Sequence, residues 1–270
     1  MFKIGITQWC LPGNGLCCMD MAEHLNLDVL QLDLGAYEQG YPLTQELVQN
    51  ELIKEAQIHH IRMIALSMND LCDHGFSKGG KHKGIAYQTI KEGILTAAAM
   101  KIPSVTLPSF YDNRIECQSD FDNTVEALKF ACDQAARYNI LVYTENVLLP
   151  EELFLLFKRV NAPNLRVLFD SQNYPLLIKT SSGEILDRIY EYIGDIVHLK
   201  DGVKNMGDCY LGQGISDVKK CVFTLKNKGF KGSLILENNY ATLPIEHEWR
   251  HQRWITAFKD INSVRTWLCT

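Results

Sequence analysis

The sequence contains no Cys-x-x-Cys pair, and no run in it is long and apolar enough to span a bilayer. Its nine cysteines are odd in number and scattered, so reduced thiols in a cytoplasmic protein are the expected state. The adjacent Cys17-Cys18 reads as two ordinary residues at a helix start. Low-complexity blocks and Pro/Ser-rich linkers are missing too, which favours one domain over residues 1–270. Positive charge is not in excess: 27 Lys and Arg against 32 Asp and Glu leave a net charge of −5. That balance gives no electrostatic footprint for nucleic acid. The start, Met1-Phe2-Lys3-Ile4-Gly5, has no long apolar stretch of the signal-peptide kind and runs straight into a predicted strand. Neither a nucleic-acid nor a membrane partner is expected. Hydrophobic content of 46% and charged content of 22% are ordinary for a globular chain, and 270 residues suit one barrel.

The chain alternates strand-like and helix-like runs. The strand runs are Lys3 to Cys10, Val29 to Gly35, Met63 to Met68, Ser104 to Leu107, Ile140 to Glu145, Leu165 to Asp170, Ile196 to Asp201 and Ser233 to Glu237. Between them lie helical patterns, among them Phe121, Val125, Leu128, Cys132 and Ala135 in the 4-3-4-3 spacing of one buried face. Pro150-Glu151-Glu152 is a helix opening, with proline in the first turn and acids at the positive end of the dipole. Ser216 is expected to cap a helix that stops at Gly229. A long polar connection, Asn69 to Lys83, follows the third strand. Eight strands and eight helices at this spacing predict an α/β fold, a (β/α)8 TIM barrel. An open doubly wound sheet usually announces itself with a glycine-rich first turn, and Leu11-Pro12-Gly13-Asn14-Gly15 is a poor match.

Four successive strands each deliver one ligand-type residue at or near the carboxyl end: Glu145, Asp170, His198 and Glu237. In a barrel those ends are neighbours, so the four side chains converge. Three carboxylates and an imidazole form a hard, oxygen-rich set that suits Mn2+, Mg2+ or Co2+, with Zn2+ an alternative. An ion there would offset the repulsion between crowded carboxylates. Strand alternation turns His198 and Lys200 to one side and Val197 and Leu199 to the other.

Thr144-Glu145-Asn146, Phe169-Asp170-Ser171-Gln172-Asn173, His198-Leu199-Lys200-Asp201, Leu211-Gly212-Gln213-Gly214 and Leu236-Glu237-Asn238 together carry a resemblance. With them the chain resembles the sugar phosphate isomerases/epimerases, the xylose-isomerase-like barrels that include the ketose 3-epimerases. The resemblance implies that Glu145, Asp170, His198 and Glu237 hold one divalent metal ion, Mn2+ first, with Glu145 and Glu237 also transferring protons. It implies an isomerase or epimerase of a small sugar or related hydroxy-carbonyl compound acting through a metal-stabilised cis-enediolate. An inosose-dehydratase-like lyase on the same metal site, and a barrel that binds a sugar or partner without chemistry, are the alternatives. A homo-oligomer follows by analogy with the family.

Several other residues are candidates for substrate contact. Trp9 can pack on the apolar face of a sugar or plug the barrel end. Asn173 stands where many relatives carry histidine; it can hydrogen-bond a hydroxyl but is a poor metal ligand. Lys200 faces the site or pairs with Asp170 or Asp201. Lys204 matches, by the resemblance, the place of a basic substrate-binding residue, without arginine's planar fork. The Ser77–Lys83 stretch is either a phosphate cradle or a surface loop, and His74 and His82 lie in the same connection.

Overall fold

The computed structural model describes residues 2–12, 17–244 and 254–270; Gly13, Asn14 and Gly15 of the first loop lie outside them. In chain order the strands and helices are β1 (Lys3–Thr7), α1 (Cys17–His24), β2 (Val29–Asp33), α2 (Glu46–Ile58), β3 (Arg62–Ser67), α3 (Lys83–Ala99), β4 (Ser104–Pro108), α4 (Gln118–Ala136), β5 (Leu141–Glu145), α5 (Pro150–Val160), β6 (Leu165–Asp170), α6 (Asn173–Ile178), α7 (Ser182–Ile189), β7 (Ile193–Leu199), α8 (Val218–Asn227), β8 (Ser233–Leu236) and α9 (Ile255–Cys269). The strands follow one another in sequence order and close into a barrel, as the alternation predicts. No helix among the described residues is long and apolar enough to cross a membrane.

By packing, the residues fall into two compact groups, divided within β2, α2, β3 and β6 rather than at a linker. One group contains Met1–Gln31, Glu55–Arg62 and Phe169–Thr270. Here β1 lies parallel to β2 and β8, with Lys3 opposite Ser233, and β7 lies parallel to β8, with His198 opposite Ile235. Ile6, Leu30, Val197, Leu199, Leu234 and Leu236 are fully buried, which explains why these short strands read as near-continuous apolar runs. The other group contains Leu32–Lys54 and Met63–Leu168. Its ladder runs β3, β4, β5, β6 in parallel, and β4 is buried along its whole length. Phe121, Val125, Leu128, Cys132 and Ala135 form the buried side of α4, as their spacing predicts.

Three local expectations change. The first strand ends at Thr7, and Trp9 sits in a 3-10 turn, Gln8–Cys10. Ser216 is not the cap of α8, which begins at Val218 with Asp217 before it and no side-chain capping bond. The backbone N–H of Ser216 is instead drawn to Asp201 Oδ1 at 3.0 Å. The short helix α6 has no clear apolar period to reveal it; Asp170 Oδ1 starts it by accepting the N–H groups of Gln172 and Asn173 at 2.7 and 2.8 Å. That satisfies two of the donors a helix start leaves open. The other punctuation holds: Pro150 opens α5 with Glu151 and Glu152 in its first turn, and Gly229, at φ 75°, follows the end of α8.

Candidate metal centre

His198 and Lys200 leave the end of β7 on one side, as strand alternation requires, and both reach Glu237. His198 Nδ1 lies 3.0 Å and Lys200 Nζ 2.8 Å from Glu237 Oε2, and Lys200 Nζ is also 3.2 Å from Asp170 Oδ2. The Trp9 indole N–H donates to Glu237 Oε1 at 3.3 Å. One ligand atom from each of Glu145, Asp170, His198 and Glu237 lies within 4.8 Å of the others. The sequence-assigned set is therefore brought together. Glu145, Asp170 and His198 are buried and Glu237 nearly so. Burial alone would raise the carboxyl of Glu237, but the Lys200 ammonium and the His198 imidazole outweigh it and hold that carboxyl well below the usual range. Burial pushes Asp170 the other way, with Lys200 opposing and Glu237 adding to the rise.

These residues fit a divalent ion on their own chemistry. Asp170 Oδ1 is fixed by two backbone N–H groups, whereas its Oδ2 is buried, accepts no hydrogen bond and faces the Lys200 ammonium. A buried carboxylate oxygen of that kind needs a cation beside it; Lys200 Nζ at 3.2 Å supplies one from the chain, and a divalent ion suits the same oxygen. Three oxygen donors and one imidazole nitrogen are a hard set of the kind that manganese or magnesium accepts.

Gln31, on β2, reaches the centre without having been a candidate in the sequence. Its Oε1 lies 2.8 Å from His198 Nε2. A ligating imidazole needs one nitrogen without a proton and the other held by an acceptor, and Gln31 Oε1 is that acceptor. Its signal was a polar residue in the otherwise apolar Val29-Leu30-Gln31-Leu32. Replacement by leucine leaves His198 Nε2 without its acceptor, so Gln31→Leu is expected to weaken metal binding by about 10- to 100-fold. Isothermal titration with Mn2+ checks this; an unchanged affinity would remove Gln31 from the account.

The segment after β7 is built around two aspartates. Asp201 accepts the N–H groups of Gly202, Gly212, Gly214 and Ser216 at 2.8–3.0 Å. A Cβ at Gly214 would collide with Asp201 Oδ1, and Gly212 holds φ 82°, so the Gly-x-Gly turn wraps a carboxylate that only glycine lets come so close. Asp208 accepts the N–H groups of Val203, Lys204 and Asn205. Asn238, next to Glu237, accepts the N–H of Asp201 at 2.8 Å and donates to Asp260 Oδ2 at 2.7 Å. Asp260 also accepts from Tyr240 and from the N–H of Leu211, and so ties α9 to both the β7 and β8 ends.

Burial raises the Asp260 carboxyl to about 6, against an ordinary 3.8. The native chain therefore keeps this proton to higher pH than the unfolded chain does. The stabilisation is full below pH 3.8 and is lost as pH rises through 6. The stability of wild type relative to Asp260→Asn is expected to fall by about 2 kcal/mol between pH 4 and 7. Urea unfolding across that range reads it, and a difference that grows with pH would contradict the assignment.

Among the remaining candidates, Asn173 is buried beside Asp170 and Lys204 is exposed in the segment after β7. Two of the three lysines of the Ser77–Lys83 stretch are committed to acids, Lys78 to Glu116 and Asp120 and Lys83 to Glu126, and Lys81 is exposed. His74 pairs with Glu38 and Asp70, and its ring stacks on that of His82 at 5.2 Å.

A family model described as the xylose isomerase-like TIM barrel matches residues 19–258. A relative named 2-epi-5-epi-valiolone 7-phosphate 2-epimerase, from Actinoplanes sp. (strain ATCC 31044 / CBS 674.73 / SE50/110), is 26% identical over 262 residues, 94% of this chain and 96% of that protein. Among solved structures, L-ribulose 3-epimerase superposes with a TM-score of 0.80 at 14% identity, covering 99% of this chain and 95% of the other. D-allulose 3-epimerase from Methylomonas sp. superposes at 0.78 with 15% identity, covering 99% and 98%. These two solved structures share the fold of this chain.

Proposed function

Because the chain belongs to the xylose isomerase-like TIM barrel family, we propose that it is a divalent-metal-dependent isomerase or epimerase of a small sugar or related hydroxy-carbonyl compound, working as one barrel domain. The observation that carries the proposal is the grouping of Glu145, Asp170, His198 and Glu237 within 4.8 Å. The name of the Actinoplanes relative, 2-epi-5-epi-valiolone 7-phosphate 2-epimerase, supports the reaction class.

In this reading the four residues hold one ion, Mn2+ before Mg2+, Co2+ or Zn2+. When bound, the ion supplies Lewis-acid stabilisation of the negative charge that develops on substrate oxygens as a C–H proton leaves. The protein does the rest. The Gln172 and Asn173 N–H groups fix Asp170, and Gln31 fixes the His198 ring. Trp9 fixes one oxygen of Glu237. One of the two glutamates, Glu145 or Glu237, takes the proton from carbon, and the other returns one from the opposite face, which inverts that carbon. Trp9, Asn173 and Lys204 are assigned to substrate contact.

The test is a panel of ketoses, cyclic polyol ketones and their phosphates incubated with the Mn2+-loaded protein in deuterated water. One solvent deuteron in the product, with no other change in composition, is expected. Loss of water would move the assignment to a lyase, and no exchange with any member of the panel would oppose an enzymatic role.

A further inference from the structure

Lys200 brings a positive charge to the same atoms that the proposed ion needs. Its Nζ lies 2.8 Å from Glu237 Oε2 and 3.2 Å from Asp170 Oδ2, with 7% of the lysine side chain, 13% of Glu237 and 1% of Asp170 exposed. Water screens such a cluster poorly, so two neighbouring carboxylates there require a resident cation. The Lys200 backbone is not free to follow a rearrangement. Its N–H donates to Ser171 Oγ at 2.9 Å, the same hydroxyl donates to its carbonyl at 2.8 Å, and the next N–H, of Asp201, is held by Asn238. Any movement therefore falls to the four-carbon stem, whose rotatable bonds carry a compact ammonium. A divalent ion on Asp170 and Glu237 and an ammonium on the same oxygens repel each other at short range in a poorly screened setting.

We infer that Lys200 is a built-in counter-cation that neutralises the Asp170–Glu237 pair in the metal-free chain and is displaced from it when the ion binds, so that this lysine sets the affinity for metal. The inference rests on the metal-dependent reading above. It explains why a buried lysine stands two residues after a metal-type histidine: Asp170 and Glu237 fold together without an ion, and the ion enters by exchange. The displaced ammonium is then released for a substrate oxygen, the role that the sequence reading gives to Lys200.

The experiment is titration calorimetry of Mn2+ into metal-stripped wild type, Lys200→Met and Lys200→Gln, with thermal melts of each metal-free protein. Both neutral variants are expected to bind Mn2+ at least tenfold more tightly than wild type and to melt lower without metal, and Mn2+ is expected to raise their melting temperatures more. Equal or weaker binding in the folded variants would overturn the inference while leaving the metal site in place. Absence of binding in wild type and variants alike would overturn the metal reading itself, and this inference with it. Where the metal-free variants do not fold, the wild-type Lys200 ammonium is followed by 15N-lysine NMR during Mg2+ titration. Its protons are expected to pass from slow to fast exchange with water; an unchanged signal would overturn the proposal.

Discussion

Glu237→Gln is expected to lower turnover on the order of a thousandfold while the chain stays folded. The substitution keeps the shape and an oxygen for the Trp9 indole, but it removes the anion that holds His198 Nδ1 and Lys200 Nζ. The backbone link of Glu237, its N–H to Leu199 O at 3.0 Å, is untouched. Loss of rate through a missing ligand is separated from loss through a missing proton carrier by raising Mn2+ to saturation. If Glu237 carries the proton, solvent-deuterium uptake stays low after occupancy is restored. Wild-type uptake in the folded variant would remove Glu237 from the chemistry.

The largest expected effect on stability comes from Asp201→Ala. It strips the acceptor from four backbone N–H groups, those of Gly202, Gly212, Gly214 and Ser216. Hydrogen bonds to a charged acceptor contribute about 1.5–3 kcal/mol each, and water replaces part of this at the Gly212 and Gly214 N–H groups, which lie nearer the surface, so a net loss of about 4 kcal/mol is expected. That is a large share of a typical folding free energy, about 5–15 kcal/mol. Asp208→Ala is the control. Burial opposes ionisation of Asp208, but the N–H groups of Val203, Asn205 and Lys204 outweigh it and keep the carboxyl low. This site is open to solvent, and a loss of about 1 kcal/mol is expected. Urea midpoints read both. Equal losses would show that enclosure of Asp201 is not what makes the first one large.

The centre was legible because it rests on strand periodicity. Four apolar runs end in Glu145, Asp170, His198 and Glu237, and a barrel has one place to put the ends of adjacent strands. The supporting contacts were not legible, because they join positions that no local pattern links. Gln31 meets His198 across 167 positions, and its own surroundings read only as a strand. The carboxylates that take Lys78 and Lys83 lie 38 to 43 residues further on, so the loop looked available for phosphate. Ser216 looked like a cap because serine before a helical pattern usually is one. Asp201, fifteen residues earlier, had a stronger claim on its N–H. The Gly-x-Gly motif was visible, but not that it encloses a carboxylate of its own chain.

The measurement that bears most directly on the central claim is the number of divalent ions per chain, read by elemental mass spectrometry on the purified protein and on His198→Ala. About one ion is expected in the native protein, lost in the variant. No ion in the native protein, even after Mn2+ or Co2+ is supplied, would contradict it and leave a barrel that binds without this chemistry.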